Sequence, residues 1–478
     1  MVGHEFYKYN NQNLAATKTG FPFGGLYELD AATNITKASS YEDNYAVESV
    51  HSRLEYNYAD KYYLSGSYRT DGSSRFHKDS RWGNFWSVGG NWRISQEEFM
   101  KNLTWIDNIS VKASYGVQGN DNLRTYYAWQ SFYTLGYSNA EYTGAALSSL
   151  ENRDLRWEKN GNLNIGLEGR FWNRFSVGIE WYNRKTSDML MTFPMAMSLG
   201  FKGYDKNIGS MRNTGWDMTV SADIFNGDGF NWRLSWMGST LKNKVLHLAD
   251  KPEIPSETRI IKEGEVLNSF YTATSAGVDP ATGEQLYWVW DTDANGVAGE
   301  RYITSDQAKA TACKEIQGSR IPKLYGSFNN DFKYKNFDLS ILCTYSIGGK
   351  VMDGVYRTLL YSSYAGQARS KHLERAWKQP GDITDLPRIE IGKSYIYTDN
   401  DLIDASYLAI KNVTLGYTLP AHLTRAMKLE NVRFTVTGDN LVLFNHLKGM
   451  DPQFNFTGDT DFGYVPVRTV SFGIDVTF

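Results

Sequence analysis

The sequence predicts an all-β fold, a transmembrane antiparallel β-barrel. Three observations predict it: apolar and polar residues alternate within the strands, short and long links alternate between them, and no long apolar run occurs. In the last segment, every second residue from Val470 to Phe478 is apolar, and those between them are small or polar. A period of two is the signal of a strand. No apolar run reaches the ~18 residues of a membrane helix, whereas a barrel strand needs an apolar residue only at alternate positions.

The same alternation recurs in four other segments, which begin at Leu163, Phe175, Phe230 and Val432. A charge on the lipid face costs about 2–4 kcal/mol at the bilayer midplane, whereas a charge facing the lumen meets water. Charges confined to one side of several strands are therefore what a barrel wall requires. The strands of a soluble β-sandwich or propeller also alternate, so strand composition by itself leaves these classes open.

The lengths of the links between strands favour the barrel. We predict about 14 strands, near residues 2–9, 46–58, 61–70, 83–94, 107–117, 159–170, 174–186, 214–225, 230–245, 323–334, 337–348, 406–418, 431–443 and 466–478. Short links such as Ala59-Asp60, Asn173, 226–229 and Lys335-Asn336 alternate with long ones near 10–45, 118–158, 187–213, 246–322, 349–405 and 444–465. Two further links, 95–106 and 419–430, resemble a short helix or a capped turn. Short turns at one rim and long loops at the other are typical of outer-membrane barrels, and the ~40-residue repeat of a propeller is not visible.

The composition argues against a nucleic-acid-binding protein. The 50 Lys and Arg residues nearly balance 53 Asp and Glu residues, for a net charge of -3, whereas such proteins carry a basic face. Cys313 and Cys343 form neither a disulfide framework nor a C-x-x-C pair. Residues 1–10 carry neither the basic start nor the apolar stretch of a signal peptide. We therefore expect either a cytosolic protein or a fragment, and the strand pattern favours a fragment.

Several sequence blocks, in a fixed order along the chain, point to one family. They are 62–76 (YYLSGSYRTDGSSRF), 113–121 (ASYGVQGND), 406–420 (SYLAIKNVTLGYTLP), 436–441 (VTGDNL), 448–452 (KGMDP) and 467–478 (VRTVSFGIDVTF). With these blocks the chain resembles the SusC/RagA-like, TonB-dependent (TonB-linked) outer-membrane transporters over nearly its whole length. Several ordered blocks make this resemblance more specific than any single motif would.

The resemblance implies that residues 1–478 are the C-terminal part of the barrel, about the last 14 of roughly 22 strands. The signal peptide, the plug and the N-terminal domain would then be absent. It also implies an integral outer-membrane protein that imports a nutrient, most often a glycan and less often a peptide. Its partners would be a SusD-like surface lipoprotein acting as a lid, TonB (through the missing N-terminal segment) and outer-membrane lipid. A plugless porin or adhesin barrel and a soluble carbohydrate-binding β-protein remain as alternatives.

No catalytic residue, cofactor or metal site is expected. Asp291, Asp293, Asn295 and Gly296 open like a calcium loop, but the twelfth position is Tyr302 where a bidentate Glu is needed. Neither a nucleophile elbow nor a phosphate loop is present, so we predict a protein that is not an enzyme.

Aromatic residues supply the candidate site residues. Trp82, Trp86, Trp92, Tyr62 and Tyr63 favour girdle positions at the membrane interfaces. Four candidate ligand contacts are aromatic residues of the long links: Trp129, Trp288, Trp290 and Tyr356. The alternative is that these side chains pack one loop against another, and both interpretations stay open. The terminal aromatic of the last strand resembles the assembly signal of outer-membrane barrels, here carried by Phe472, Ile474, Val476 and Phe478.

Overall fold

The computed structural model describes residues 1–201, 203–227, 229–249, 251–293, 297–361, 366–390, 392–446, 450–453 and 457–478. Parts of the 226–229 link, of the calcium-like turn after Asp293 and of the 448–452 block lie outside the described residues. The chain forms two compact units, the first from residues 1–91, 113–163 and 184–210, and the second from residues 92–112, 164–183 and 211–478. Within the described ranges, no helix is both long enough and apolar enough to cross a membrane.

Fourteen strands follow one another in chain order along the largest sheet, and the predicted all-β fold is confirmed. They are β1 (Val2–Thr19), β2 (Asn34–Tyr58), β3 (Tyr62–Ser73), β4 (Trp82–Trp92), β5 (Ile106–Asn120), β6 (Glu158–Phe171), β7 (Phe175–Ser187), β8 (Ser210–Asn226), β9 (Phe230–Ser239), β10 (Leu324–Tyr334), β11 (Phe337–Ile347), β12 (Tyr407–Thr418), β13 (Asn431–Asn445) and β14 (Thr469–Thr477). A short strand at Lys242–His247 pairs with β8 beside this series.

The first hairpin is longer than the sequence predicted. We expected strands at 2–9 and 46–58, but β1 and β2 pair from Val2↔Ser52 to Thr19↔Asn34. In the added part both faces are mostly exposed, and polar residues such as Asn10 and Gln12 are accommodated there. Because neither face of this part is buried, the period of two that identifies a half-buried strand is missing from its sequence.

The predicted single strand at 230–245 is two strands. β9 ends at Ser239, and the next strand begins at Lys242. Between them, the backbone N–H of Thr240 donates to the carbonyl of Trp216 on β8 at 2.9 Å. The chain thus leaves its pairing with β10 at this point and continues beside β8.

The short links are tight turns that the local sequence explains. Ala59 and Asp60, between β2 and β3, have φ values of 53° and 54°, as both central residues of a type I′ hairpin turn require. The Asn57 side chain supports this turn, because its Nδ2 donates to Asp60 Oδ1 at 2.6 Å. Trp172 and Asn173 repeat the left-handed pair between β6 and β7, with φ values of 51° and 53°.

The two faces of the sheet differ in chemistry, as the alternation predicts. Across β13 and β14, the pairs Phe434↔Ile474 and Val436↔Phe472 place four apolar side chains on one face. On β4, three exposed aromatic side chains share a face because they lie at even spacing: Trp82, Trp86 and Trp92.

Tyr62 and Tyr63 are consecutive residues of β3 and therefore lie on opposite faces. Tyr62 shares its face with the exposed Leu64 and Tyr68. Tyr63 shares the opposite face with two serines, and its hydroxyl donates to Asp60 Oδ1 at 3.4 Å. Only Tyr62 is thus placed for the lipid-facing girdle that we predicted for both residues.

The long links fold into small elements of their own. Their strands are Phe132–Asn139, Tyr142–Ser149, Leu190–Pro194, Gly203–Asn207, Glu253–Pro255, Arg259–Lys262, Ser269–Thr272, Thr274–Val278, Gln285–Thr292, Ala298–Thr304, Glu315–Gly318, Lys350–Met352 and Leu402–Asp404. The α-helices are α1 (Gln307–Ala312), α2 (Gly354–Tyr361) and α3 (Ala421–Ala426), and short 3-10 helices lie at Leu29–Ala31, Ile94–Gln96, Glu98–Met100, Met197–Leu199, Lys371–Arg375 and Asp399–Asp401. The helical turns at 94–100 and 421–426 match the short structures expected for links 95–106 and 419–430.

Each unit has its own apolar core near the long links. In the first unit, Phe76, Leu155 and Trp157 centre a buried cluster. In the second unit, residues 253–318 and 350–404 together form what we call the outer loop body. Its two small cores are centred on Tyr287 with Val289, and on Leu360 with Leu386.

A charge on the apolar face should cost far more than a charge on the polar face. Val436, 41% exposed on the apolar face of β13, neighbours Thr437, whose Oγ1 is 3.1 Å from Thr414 Oγ1 on the polar face. We expect Val436→Lys to lower the free energy of unfolding by about 2–4 kcal/mol and Thr437→Lys by about 1 kcal/mol. Urea unfolding of the native protein in lipid vesicles, followed by tryptophan fluorescence, measures both. Equal losses would contradict the lipid assignment of the Val436 face.

Candidate functional site

The polar face of the second unit carries charges that are matched across neighbouring strands. Lys112 on β5 places its Nζ 2.8 Å from Glu168 on β6 and 3.0 Å from Glu180 on β7. One cation thus serves two carboxylates and ties three strands together. These side chains keep between 29% and 55% of their surface exposed, so each pair contributes only about 0.2–1 kcal/mol to stability.

Further cross-strand pairs continue along this polar face. Arg233 on β9 meets Asp223 on β8 at 2.7 Å, and Arg433 on β13 reaches Asp338 on β11 at 2.6 Å. Asn412 donates to Asp439 at 2.7 Å between β12 and β13. The polar face is therefore hydrophilic and carries matched charge pairs, which suits a surface that faces water.

Five tyrosines of the first unit form what we call the tyrosine cluster: Tyr7, Tyr9, Tyr45, Tyr126 and Tyr127. Tyr9 and Tyr45 pair directly across β1 and β2. The ring centroids lie 6.1 Å apart for Tyr7–Tyr45, 5.5 Å for Tyr45–Tyr126 and 6.0 Å for Tyr9–Tyr126. Tyr7 is 50% exposed and Tyr9 36%, so a continuous aromatic surface remains open to a ligand.

The strand tyrosines of this cluster lie on the polar side of the sheet. Residues two and four positions apart in a strand point the same way, so Tyr7 shares its face with Glu5, and Tyr45 shares its face with Ser49. Arg69 on β3 marks this face, because its Nη2 donates to Ser49 Oγ at 2.8 Å and to Glu5 at 3.1 Å.

Arg75 holds the tyrosine cluster together. Its guanidinium carbon lies 4.7 Å from the ring centroid of Tyr45 and 4.9 Å from that of Tyr126. Its Nη1 donates to the Asp121 carbonyl at 2.9 Å. The Asp121 carboxylate accepts from the Tyr45 hydroxyl at 2.8 Å and from Ser73 Oγ at 2.6 Å. Arg75 and Asp121 belong to the DGSSRF and GND blocks of the sequence, which therefore build this part of the structure.

Trp129, a predicted ligand contact, packs beside the core of the first unit. Its ring meets His77 edge-on at 5.2 Å and lies against the core cluster that contains Phe76. Its buried Nε1 has no hydrogen-bond partner among the described atoms. Sequence reasoning found this tryptophan but missed the nearby chain segment Tyr126–Tyr127, because single tyrosines among 32 carry little signal.

Trp288 and Trp290 lie on one strand of the outer loop body, both half-buried. They pair with Ile303 and Arg301 of the adjacent strand. The Arg301 guanidinium lies 5.4 Å from the Trp290 ring, and Cys313 Sγ donates to the Trp290 carbonyl at 3.1 Å. Trp290 thus has packing partners in the loop body, and its role in ligand contact stays a prediction.

Tyr356, the fourth predicted contact, lines a cavity in the outer loop body of about 300 Å³, which we call the loop cavity. Its hydroxyl bonds His372 Nδ1 at 2.8 Å. Tyr361 and Tyr395 also line the loop cavity, with ring centroids 5.2 Å apart. Burial raises the pKa of Tyr361 and Tyr395, so both phenols stay protonated and able to donate at neutral pH.

An ion pair closes one side of the loop cavity. Arg357 Nη1 lies 3.0 Å from Asp401 Oδ2, and both side chains are only 11% exposed. The guanidinium also stacks on Tyr397, 4.0 Å from its ring centroid, and donates to the backbone carbonyls of Tyr395 and Ile396. Removing either charge would leave the other uncompensated in a buried place, so the pair fixes the cavity wall.

The residues of the expected assembly signal end the sheet. Phe472, Ile474 and Val476 lie on the apolar face of β14, 81%, 66% and 40% exposed, and Phe478 is 91% exposed. Their role in assembly stays a prediction. In the described part of the chain, no group of three or more His, Cys, Asp or Glu side chains is placed to hold a metal ion.

Comparison with known proteins identifies relatives of this architecture. The family model described as "TonB dependent receptor-like, beta-barrel" matches residues 2–441. TonB-dependent receptor P26 of Formosa agariphila is 30% identical, covering 98% of this chain and 49% of the relative. TonB-dependent receptor SusC of Bacteroides thetaiotaomicron is 26% identical, covering 93% of this chain and 45% of the relative.

A solved structure described as the RagAB peptide transporter superposes on the whole chain. Its TM-score is 0.88 at 28% identity, covering 100% of this chain and 53% of that chain. The chain spans about half the length of the curated relatives that it matches.

The tyrosine cluster should lose its order without Arg75. We expect Arg75→Met to lower the free energy of unfolding by about 2–3 kcal/mol, because charged hydrogen bonds and two ring contacts are lost together. Arg153→Met is the control, since its pair with Glu151 is 3.2 Å long and more than half exposed and should change stability by under ~0.5 kcal/mol. Urea unfolding in vesicles measures both variants, and equal midpoints would refute the structural role of Arg75.

Proposed function

The chain belongs to the family of TonB-dependent receptor-like β-barrels, and from this premise we propose that it is part of a transporter that imports oligosaccharides. As a SusC/RagA-like member it is an integral outer-membrane protein. The matched relatives are receptors and transporters, not enzymes. The observation that carries the oligosaccharide proposal is the exposed tyrosine cluster on the polar side of the sheet.

The chemistry of the tyrosine cluster suits a neutral carbohydrate. A tyrosine presents an apolar ring that covers a sugar face and a hydroxyl that bonds its polar edge. Two nearby arginines already have partners within the protein, because Arg75 donates to the Asp121 carbonyl at 2.9 Å and Arg69 bonds Asp71 at 2.6 Å. An anionic ligand would find these two cations already engaged, whereas a ligand with many hydroxyl groups finds hydrogen-bonding partners.

Peptide import is the second candidate, because the RagAB structures are described as a peptide transporter and importer. Tyrosines also pack against apolar peptide side chains, so the tyrosine cluster does not exclude this ligand class. A direct comparison of the two ligand classes on one protein distinguishes them.

The proposed mechanism has a surface lipoprotein and an energy-coupling partner. In this proposal a SusD-like lipoprotein closes over the long links, where Trp129, Trp288, Trp290 and Tyr356 lie close to the ligand or the lid. In the same proposal, TonB acts through a plug that closes the barrel. A plugless porin would instead conduct small solutes without TonB, so loss of uptake in a strain lacking TonB separates these two mechanisms.

We further propose that residues 1–478 are the C-terminal part of a larger barrel. Among the described residues, β1 pairs with β2 alone and β14 with β13 alone. An unpaired strand edge in lipid leaves backbone groups unsatisfied at several kcal/mol each. Additional strands of the full transporter would cover both edges, consistent with relatives about twice as long.

This proposal predicts the behaviour of the 478-residue chain by itself. When it is refolded into lipid vesicles, we expect neither heat-modifiable migration on a gel nor uptake activity, because both edges remain unpaired. The transporter including all its strands is the control and should show both. Heat-modifiable migration of the 478-residue chain would contradict the larger barrel.

Truncating a tyrosine of the cluster should weaken oligosaccharide binding. We expect Tyr7→Ala to raise the Kd about 3–10-fold, as lost aromatic stacking of about 1 kcal/mol implies. Tyr56→Ala is the matched control, because Tyr56 is 55% exposed on the opposite face of β2. Binding of fluorescently labelled neutral oligosaccharides and of peptides to the native transporter measures this. Binding of peptides alone would replace the carbohydrate proposal with peptide import.

A further inference from the structure

The loop cavity runs from an exposed rim to a buried floor. Asp385 and Asn400 at the rim are exposed, whereas the floor residues Gln285, Leu386 and Tyr395 are each no more than 8% exposed. The volume of about 300 Å³ lies at the lower limit of small-molecule sites. A ligand can therefore enter past the rim, but it must be small.

Several polar groups around the loop cavity have spare hydrogen-bonding capacity. The Tyr361 hydroxyl, the Asn400 carboxamide and Asp401 Oδ1 make no hydrogen bond to described atoms, although Asp401 Oδ2 accepts from Arg357 and from the Thr398 N–H at 2.8 Å. Buried or half-buried polar groups without partners lose free energy unless a water or a ligand satisfies them.

Hydrogen bonds orient the Gln285 side chain so that its carbonyl oxygen, Oε1, is the atom available to a ligand. Its Nε2 donates to Ser275 Oγ at 2.8 Å and to the Gly277 carbonyl at 2.9 Å. Both N–H bonds are thereby used, and the Oε1 oxygen has no donor among the described residues. Tyr287 lies two residues after Gln285 on the same strand. It is fully buried, and its hydroxyl lacks a hydrogen-bond partner in the described structure.

Gln285 Oε1 and Asp401 Oδ1 are acceptors, the Tyr361 hydroxyl and the Asn400 carboxamide can both donate and accept, and the charges are already paired. The Arg357 guanidinium bonds Asp401 and two backbone carbonyls, and Asp385 is 3.3 Å from Arg375. An anionic ligand would meet the Asp401 carboxylate and no unpaired cation among the lining residues, whereas a sugar hydroxyl can both donate to Gln285 and Asp401 and accept from Tyr361 and Asn400. The rings of Tyr361 and Tyr395 and the side chain of Leu386 supply the apolar contact that a sugar ring needs.

We infer that the loop cavity binds a single neutral sugar unit, either free or at the end of a glycan. This inference rests on the proposed carbohydrate import and places a second carbohydrate contact in the outer loop body. It assigns Tyr361, Gln285 and Asp401 as the hydrogen-bonding residues, and Asn400 as a contact at the rim.

The test is saturation-transfer NMR on the native transporter in detergent, with D-glucose, D-galactose, D-mannose and N-acetylglucosamine as separate probes. We expect one or more to bind, and Tyr361→Phe to weaken that binding about five-fold by removing one hydrogen bond. Tyr302→Phe is the matched control, because its hydroxyl bonds Asp291 at 2.9 Å on another part of the loop body and is not part of the cavity lining. A thermal melt of each variant confirms that it is folded.

The outcomes are separable from those of the import proposal. Sugar binding that Tyr361→Phe weakens and Tyr302→Phe does not supports the loop cavity, even where uptake assays identify a peptide as cargo. Sugar binding that neither variant changes places the contact elsewhere and overturns the inference. A folded transporter that binds none of the four sugars overturns the neutral sugar as the ligand of the loop cavity. Failure of oligosaccharide binding at the tyrosine cluster alone would leave the loop cavity intact.

Discussion

The pairing of backbone hydrogen-bonding groups is the constraint on which the rest of the structure depends. Inside a bilayer no water is available to an N–H or C=O group, so a spanning sheet must satisfy each of them by strand pairing. Pairing along the fourteen-strand series, from Val2↔Ser52 in the first hairpin to Asn431↔Thr477 in the last, meets this requirement between the strands and leaves the outer edges of β1 and β14 to be covered. Tight turns such as Ala59-Asp60 follow from it, because they keep adjacent strands in register at one rim.

The pleat then divides the side chains into two environments. Apolar pairs such as Val436↔Phe472 occupy one face, while Lys112, Arg233 and Arg433 find their carboxylates on the other. The exposed ion pairs add little stability individually. Their physical role is to match charges across neighbouring strands on a face that stays hydrophilic.

The sequence predicts the wall well and the loops poorly, for physical reasons. Where one face is apolar and the other polar, as at 470–478, the period of two identifies the strand. The outer part of β1 and β2 has water on both faces, so its sequence lacks that signal. The outer loop body is held by contacts distant in sequence, such as the hydrogen bond from Arg259 to Asp459, and local patterns do not record them. The block DGSSRF marked a relevant segment, but only the structure shows Arg75 stacked between Tyr45 and Tyr126.

The same aromatic residue type serves packing or exposure according to its tertiary neighbours. Trp129 lies against a core and Trp290 against Arg301, whereas Tyr7 keeps half of its surface open. Because Arg75 and the ion pair Arg357–Asp401 fix the surrounding side chains in advance, a ligand need not immobilise them on binding. Such preorganisation lowers the entropic cost of binding. The proposed binding of a small neutral solute therefore relies on side chains that ion pairs and ring contacts hold in place and not on a disulfide, since Cys313 and Cys343 are both free.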